Sequence, residues 1–298
     1  MDIVMLGNSS AGKTTYVALM YAVMQEGIGG FAVRAEKPAH HRSLIRTAEA
    51  VLEGRYPDPS DRRSVFDLVL RHDDEDVFPF AWRDYRGGTL REKTTGSPQA
   101  RQLHEDLKAA GGIVVFCDSQ KLLEDPRASR DVRTLFSHVQ RALDDRGDRV
   151  TPLVLALTKA DLVDLEDDKV TDKLSEPFLP LIEAVQPKEN VIGTVVPISC
   201  GPDPVNVAVP VLWTLRFAIL GQALELQASV ESQVAAARQA AGRDTLWDRF
   251  SSWANDEPSW NSISRTHWQQ AAAEYARFEP LVQPAERLGE LLEGMPGF

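Results

Sequence analysis

Cysteine is nearly absent from this sequence, with two thiols in 298 residues, Cys117 and Cys200. Both sit inside apolar runs without metal-ligand spacing, so the expectation is two buried thiols in a reducing compartment. Basic residues are in deficit as well. The 33 Lys and Arg stand against 44 Asp and Glu, leaving a formal net charge of −11 and a pI near 5.1. That balance argues against nucleic-acid or anionic-membrane surfaces, which rely on clustered cations. No uninterrupted apolar stretch approaches the roughly 20 residues of a membrane span. An apolar run follows Asp2 at once, leaving no room for a secretory leader. Internal repeats and long low-complexity segments are missing too. These absences describe a cytoplasmic protein, and 43% hydrophobic content suffices for one large domain with an appendage.

Against this background stands Gly7-Asn8-Ser9-Ser10-Ala11-Gly12-Lys13-Thr14-Thr15. It fits GxxxxGK[ST], in which a glycine-rich loop turns backbone N–H groups inward around a di- or triphosphate. Gly7 and Gly12 allow close backbone approach, Lys13 can reach the β- and γ-phosphates, and the Thr14 hydroxyl can hold Mg²⁺. The preceding run Ile3-Val4-Met5-Leu6 suits a buried strand, and residues 16–25 lack Gly and Pro and suit a helix. A helix N-terminus is thereby aimed at the anion.

Downstream, strands and helices alternate. A short strand is expected at 31–35 and a helix at 38–52, with Leu44, Ile45, Ala48, Val51 and Leu52 on one face. His40 and His41 in its first turn point about 100° apart and read as solvated rather than as a metal pair. Two extended runs, 65–70 and 77–82, joined by a polar turn predict a hairpin. Its second run ends in Asp84-Tyr85-Arg86-Gly87-Gly88. An Asp at such a strand end can bind Mg²⁺ through water, and the Gly of DxxG lets a backbone N–H approach a γ-phosphate. Further strands are predicted at 113–118, 153–157 and 191–198, and helices at 99–110, 129–144 and roughly 173–185, the last interrupted by Pro177 and Pro180. The strand at 153–157 runs into Thr158-Lys159-Ala160-Asp161, and the last strand ends in Ser199-Cys200-Gly201. The pattern specifies an α/β fold with a mixed, mostly parallel sheet flanked by helices. From Val205 the chain reads as helical. Residues 221–298 hold six Arg, no Lys and eleven acids, with Trp247, Trp253, Trp260 and Trp268. We therefore expect a nucleotide-binding domain over 1–220 and a helical C-terminal extension over 221–298.

The ordered set of GKTT, DxxG, TKAD and SCG resembles the Ras-like, translation-factor-related P-loop GTPases over roughly residues 1–220. The resemblance implies a P-loop GTPase fold, GTP/GDP and Mg²⁺ as cofactors, and a protein effector or activating protein as partner; a dimer is compatible with it. Asn8, Ser9, Ser10, Ala11, Gly12, Lys13, Thr14 and Thr15 would hold the phosphates. Thr158, Lys159 and Asp161 would read guanine, with Asp161 accepting from the ring N–H and exocyclic amine, and Ser199 and Cys200 would border the base. Thr14, Asp84 and the switch I candidate Ser60 would serve the metal. Lys13, Arg86 and Gly87 would serve catalysis. Many relatives carry a water-positioning Gln where this chain has Gly88, which implies slow intrinsic hydrolysis. The long interval before Asp84, the Gly-x-Tyr-Pro-x-Pro loop and the helix after Pro204 resemble the bacterial double-GTPase group of conflict and signalling systems.

GKTT also opens P-loop kinases and other ATP-dependent phosphotransferases. These need an Arg-rich lid, for which residues 89–101 offer Arg91 and Arg101 only. A non-hydrolysing nucleotide-binding scaffold is a third reading. In the C-terminal region, Trp268, Ala271, Ala272, Tyr275 and Phe278 fall on one side of a helix, which packs on the core or presents an effector surface.

Overall fold

Every position of strand β1 (Asp2–Gly7) after Asp2 is buried. Continuous apolarity, rather than alternation, is what a strand needs when helices cover both faces of its sheet. The computed structural model describes residues 1–58, 64–85, 98–241 and 262–298. After β1 come α1 (Lys13–Glu26), β2 (Phe31–Ala35), α2 (Pro38–Leu52), β3 (Ser64–His72) and β4 (Glu75–Asp84). Then follow α3 (Pro98–Ala109), β5 (Gly112–Asp118), α4 (Ser119–Glu124), α5 (Pro126–Asp144) and β6 (Thr151–Thr158). A 3₁₀ turn (Ala160–Leu162), α6 (Asp168–Ser175), α7 (Leu179–Val185), β7 (Val191–Ile198), α8 (Val209–Ala241) and α9 (Ser262–Leu291) complete the order.

The seven strands form one sheet in the order β2-β3-β4-β1-β5-β6-β7. β3 runs antiparallel to β2 and β4, and the remaining neighbours are parallel. The predicted hairpin is β3–β4. In register, Met5 faces Asp84, Gly7 faces Phe116, Asp118 faces Thr158 and Thr158 faces Ile198. The C-terminal ends of β4, β1, β5, β6 and β7 therefore share one edge of the sheet, where ligands of open α/β folds bind.

Two apolar layers hold that edge in place. On one side Leu135, Phe136, Val139 and Leu143 of α5 pack with Leu103 and Leu107 of α3 and Ile113 and Val115 of β5. On the other, Tyr16 of α1 lies against Phe116 and Trp82, with ring centroids 4.8 and 5.8 Å away. Such aromatic pairs add roughly 0.5–1.5 kcal/mol beyond burial, enough to fix α1 against the sheet. Tyr21 Oη and His41 Nδ1, 2.8 Å apart, join α1 to α2, and the His40 ring stands edge-on to Phe66. The two histidines are thus engaged by aromatic neighbours and not merely solvated.

Local chemistry explains where elements depart from expectation. α5 begins at Pro126, earlier than predicted, because the Asp125 carboxylate accepts the Arg127 N–H at 2.9 Å and Pro126 is compatible with a first turn. The short α4 was not foreseen; Asp118 caps it by accepting the Lys121 N–H at 3.1 Å. The helix expected at 173–185 breaks around Pro177 into α6 and α7, but α6 starts earlier, at Asp168, and Pro180 sits in the first turn of α7 without interrupting it. α9 continues through Pro280 and Pro284.

The chain divides into two compact units, Met1–Ala218 with Arg287–Phe298, and Ile219–Glu286. The last twelve residues thus group with the sheet rather than with the helical extension. Phe298 exchanges both backbone hydrogen bonds with Gly193 of the edge strand β7, at 2.9 and 3.0 Å, and Thr194 Oγ1 donates to Pro296 O at 2.8 Å. Backbone pairing of this kind covers an otherwise open strand edge. Among the described residues, the second unit consists of helical segments; Ala271 is buried there and Tyr275 exposed, while the Trp268 and Phe278 side chains lie outside the described residues, as do Trp247, Trp253 and Trp260. By length and composition, Val209–Ala235 of α8 could cross a bilayer, and 61% of its apolar window is buried inside the protein. Arg216, Glu225 and Glu231 interrupt the segment.

Candidate functional site

The chain leaves β1 through Gly7 at φ 155°, where a Cβ would lie 2.8 Å from Phe116 O. It enters α1 through Gly12, a left-handed residue at φ 79°. Ser10 also takes a positive φ of 66°, and Ala11 N–H closes the loop on Asn8 O at 3.1 Å. No side chain caps α1, so its first-turn N–H groups are left for an external acceptor, the arrangement that binds anions.

Lys13 Nζ donates to Gly7 O at 3.0 Å and Asn8 O at 3.5 Å, and lies 3.8 Å from Asp84 Oδ1. Burial lowers the Lys13 pKa, opposed by the Asp84 carboxylate. Burial likewise pushes the Asp84 carboxyl up, to about 6, opposed by Lys13. One carboxylate oxygen, Oδ1, is buried without a hydrogen bond.

At the far end, Thr158 closes β6 and its Oγ1 donates to Cys117 O at 3.1 Å. Lys159 takes a left-handed backbone, φ 56°, and Asp161 follows in the 3₁₀ turn. Cys200 is half-buried, not buried as expected, because it borders a hollow. Burial, with a contribution from Asp161, pushes its thiol up to about 12. Cys117 is fully inside, and burial raises its thiol well above the ordinary range.

One cavity of about 400 Å³ joins these ends. Its walls include Ser9 through Thr15 of the glycine-rich loop on one side, then Asp84, and Thr158, Lys159, Asp161 and Cys200 on the other side. Asn8 lines a smaller hollow of about 170 Å³ instead. Ser199 is 5% exposed and bonded through its backbone to Val205, and it is not part of the cavity wall. Ser60, Arg86, Gly87 and Gly88 lie outside the described residues, as does Arg91. Arg101, on α3, is exposed.

Residues 3–186 match the family described as Double-GTPase 2, more than half of the 298-residue chain. The chain belongs to the Double-GTPase 2 family. This places it with GTPases rather than with P-loop kinases. No curated protein matches it in sequence. Similar solved structures include the signal recognition particle receptor SRb-GTP/SRX complex from Chaetomium thermophilum. That likeness has 16% identity, covers 72% of this chain and 96% of the other, and has a TM-score of 0.42. The GTPase-like domain of S. cerevisiae Ski7, bound to GTP, is 15% identical, with 67% and 42% of the two chains covered and a TM-score of 0.42. An ADP-ribosylation-factor-like GTP-binding protein from Encephalitozoon cuniculi, in complex with GDP, is 12% identical over 73% and 79%, at a TM-score of 0.35.

Two parts of the Double-GTPase site escaped sequence reasoning. Tyr56, Pro57 and Asp58 line the cavity, and the Tyr56 hydroxyl lies 3.3 Å from where a Cβ on Gly201 would sit. The prolines marked a loop, but nothing local said that it reaches the wall of this cavity. Asp118, at the end of β5, contacts Lys159 at 2.6 Å. Its signal was available: an acid at a strand terminus on the edge that carries the other motifs.

Proposed function

We propose that this Double-GTPase chain is a GTP/GDP-operated molecular switch with slow intrinsic hydrolysis, acting in bacterial signalling or regulation through a protein effector or activating protein. One observation carries the reading: a single cavity of about 400 Å³ brings the phosphate loop, Asp84 and the Thr158-Lys159-Asp161 segment together. Its volume lies in the range of small-molecule sites, and its two ends have the chemistry of a nucleotide's two ends.

In this reading the loop amides and Lys13 hold the phosphates, Asp161 accepts from guanine's N–H groups, and the Lys159 stem covers the base. Adenine lacks that pair of donors, and a base that covers the Asp161 carboxylate without donating to it leaves it unpaired. A magnesium ion fits beside Asp84, whose buried Oδ1 accepts no hydrogen bond and whose carboxyl is not fully compensated by Lys13. Thr14, in the same wall, offers a hydroxyl oxygen. When bound, the ion supplies charge neutralisation at the phosphate oxygens. Gly87 is assigned the γ-phosphate contact, Arg86 a transition-state charge and Ser60 the switch I position from their places in the sequence. Gly88 in place of a Gln supports slow turnover. The two free thiols, Cys117 and Cys200, support a cytoplasmic location.

Denaturing the purified protein and identifying what it releases tests the ligand class. GTP or GDP is the expected product, and adenine nucleotide in its place would overturn the guanine assignment. Single-turnover hydrolysis of bound GTP tests the rate: turnover near 1 s⁻¹ or faster without a partner, on the order of activated GTPases, would overturn the slow switch.

A further inference from the structure

We propose that Asp118 is a positioning residue of the base site, holding the Lys159 ammonium so that the lysine stem forms a fixed wall for a planar purine. The inference rests on the guanine-nucleotide reading above. Asp118 ends β5 in register with Thr158, which ends β6. Its side chain is 5% exposed, and Oδ2 lies 2.6 Å from Lys159 Nζ. The other oxygen, Oδ1, accepts the Lys121 N–H at 3.1 Å as the cap of α4. One carboxylate oxygen is thereby fixed by the backbone of the next helix, while the other is buried without a hydrogen bond and faces the lysine as an ion pair.

The strand ends beneath this pair are themselves joined, because Thr158 Oγ1 donates to Cys117 O. Lys159 then turns left-handed, which carries the chain into the 3₁₀ turn where Asp161 sits. Lys159 and Asp161 line the cavity, whereas Asp118 does not. It acts on a ligand only through Lys159.

Two physical effects give the contact its consequence. A lysine stem loses much rotamer freedom when it is pinned on a base, and a stem already tethered at its tip loses less on binding. A base laid over the stem also withdraws it from water, and an ammonium so treated needs a counter-charge. Asp118 supplies that charge from inside the fold. The Lys121 ammonium lies 4.0 Å from the same oxygen but is half-exposed, so it competes weakly.

The test compares wild type with Asp118→Asn, Asp118→Ala, Lys159→Ala and the Asp118→Ala/Lys159→Ala pair. Asn caps helices about as well as Asp, so Asp118→Asn spares α4 while removing the charge; circular dichroism checks the fold of each variant. Fluorescent GDP dissociation and inorganic tripolyphosphate affinity are read. Loss of the buried counter-charge to the Lys159 ammonium supports an expected acceleration of GDP release by about tenfold or more in Asp118→Asn. Tripolyphosphate affinity stays within about twofold, and adding Asp118→Ala to Lys159→Ala changes release little. Equal losses for GDP and tripolyphosphate, additive effects in the pair, or unchanged GDP release would each overturn the assignment. A wild-type protein that binds tripolyphosphate but not GDP would instead sink the guanine reading on which it rests.

Discussion

Lys13 Nζ stands 3.8 Å from Asp84 Oδ1, and each side chain is only 8% exposed. The loop cation and the strand-end carboxylate thus face one another at the phosphate end of the cavity, brought there by the parallel pairing of β1 with β4. Each is disfavoured by burial and supported by the other. Lys13→Ala should therefore abolish GTP binding, by about a hundredfold or more, without unfolding the protein. Leaving a buried charged group without its partner costs about 3–5 kcal/mol, so the thermal midpoint should fall by roughly 10 °C. Loss of the cooperative melt would show that Lys13 is primarily structural.

The two loop glycines should separate in urea denaturation. A Cβ at Gly7 would meet Phe116 O at 2.8 Å and Phe116 Cβ at 3.1 Å, both in a neighbouring core strand. Gly7→Ala should cost about 2 kcal/mol or more, in the range of overpacked cores. At Gly12 the nearest atom would be 3.9 Å away, on Thr158. Gly12→Ala should cost only the left-handed penalty, about 1–2 kcal/mol. Equal losses would mean that β1 and β5 yield to the extra methyl group.

Asp161→Asn should shift preference from guanine toward xanthine nucleotides, because an amide can donate where the carboxylate only accepts. Asp161 is exposed in this structure, so the change in the GTP-to-XTP affinity ratio should be moderate, about tenfold to a hundredfold. Competition binding with both triphosphates measures it, and an unchanged ratio would remove Asp161 from the base site.

Cys200 should alkylate slowly despite bordering the cavity. With its pKa pushed up to about 12, almost all of it is thiol at pH 8, and only the thiolate reacts. Its rate with iodoacetamide should rise steadily from pH 7 to 10 without a plateau, because the titration lies above that window. GDP should slow the reaction further. A plateau below pH 9 would show that the thiol is not held up by its surroundings.

Much of this site was legible because its motifs are local. Gly7 through Thr15 carry loop, cation and hydroxyl within nine residues, and the apolar run before them declares a buried strand. Asp84 and Thr158 each end a strand and Cys200 follows one, and strand ends in a parallel sheet collect on one edge. The cap at Asp125 was also written locally, yet periodicity placed the start of α5 too late. Asn8 and Ser199 belong to the right motifs but do not wall the cavity, since their sides of the loops face elsewhere. The Tyr56 loop and the ion pair from Asp118 to Lys159 could not be read from spacing. Each joins residues more than forty positions apart, and contacts that distant depend on how strands are ordered.

The sequence by itself determined the phosphate loop, the alternation of strands and helices and the order of the nucleotide motifs, because short-range backbone chemistry and apolar periodicity are local properties. Only the tertiary structure decided that β4 lies beside β1, bringing Asp84 to Lys13, and that Asp118 holds Lys159. The same holds for the last twelve residues, which return to the edge of β7. Those facts follow from sheet order and edge pairing, which are settled by the packing of the whole domain.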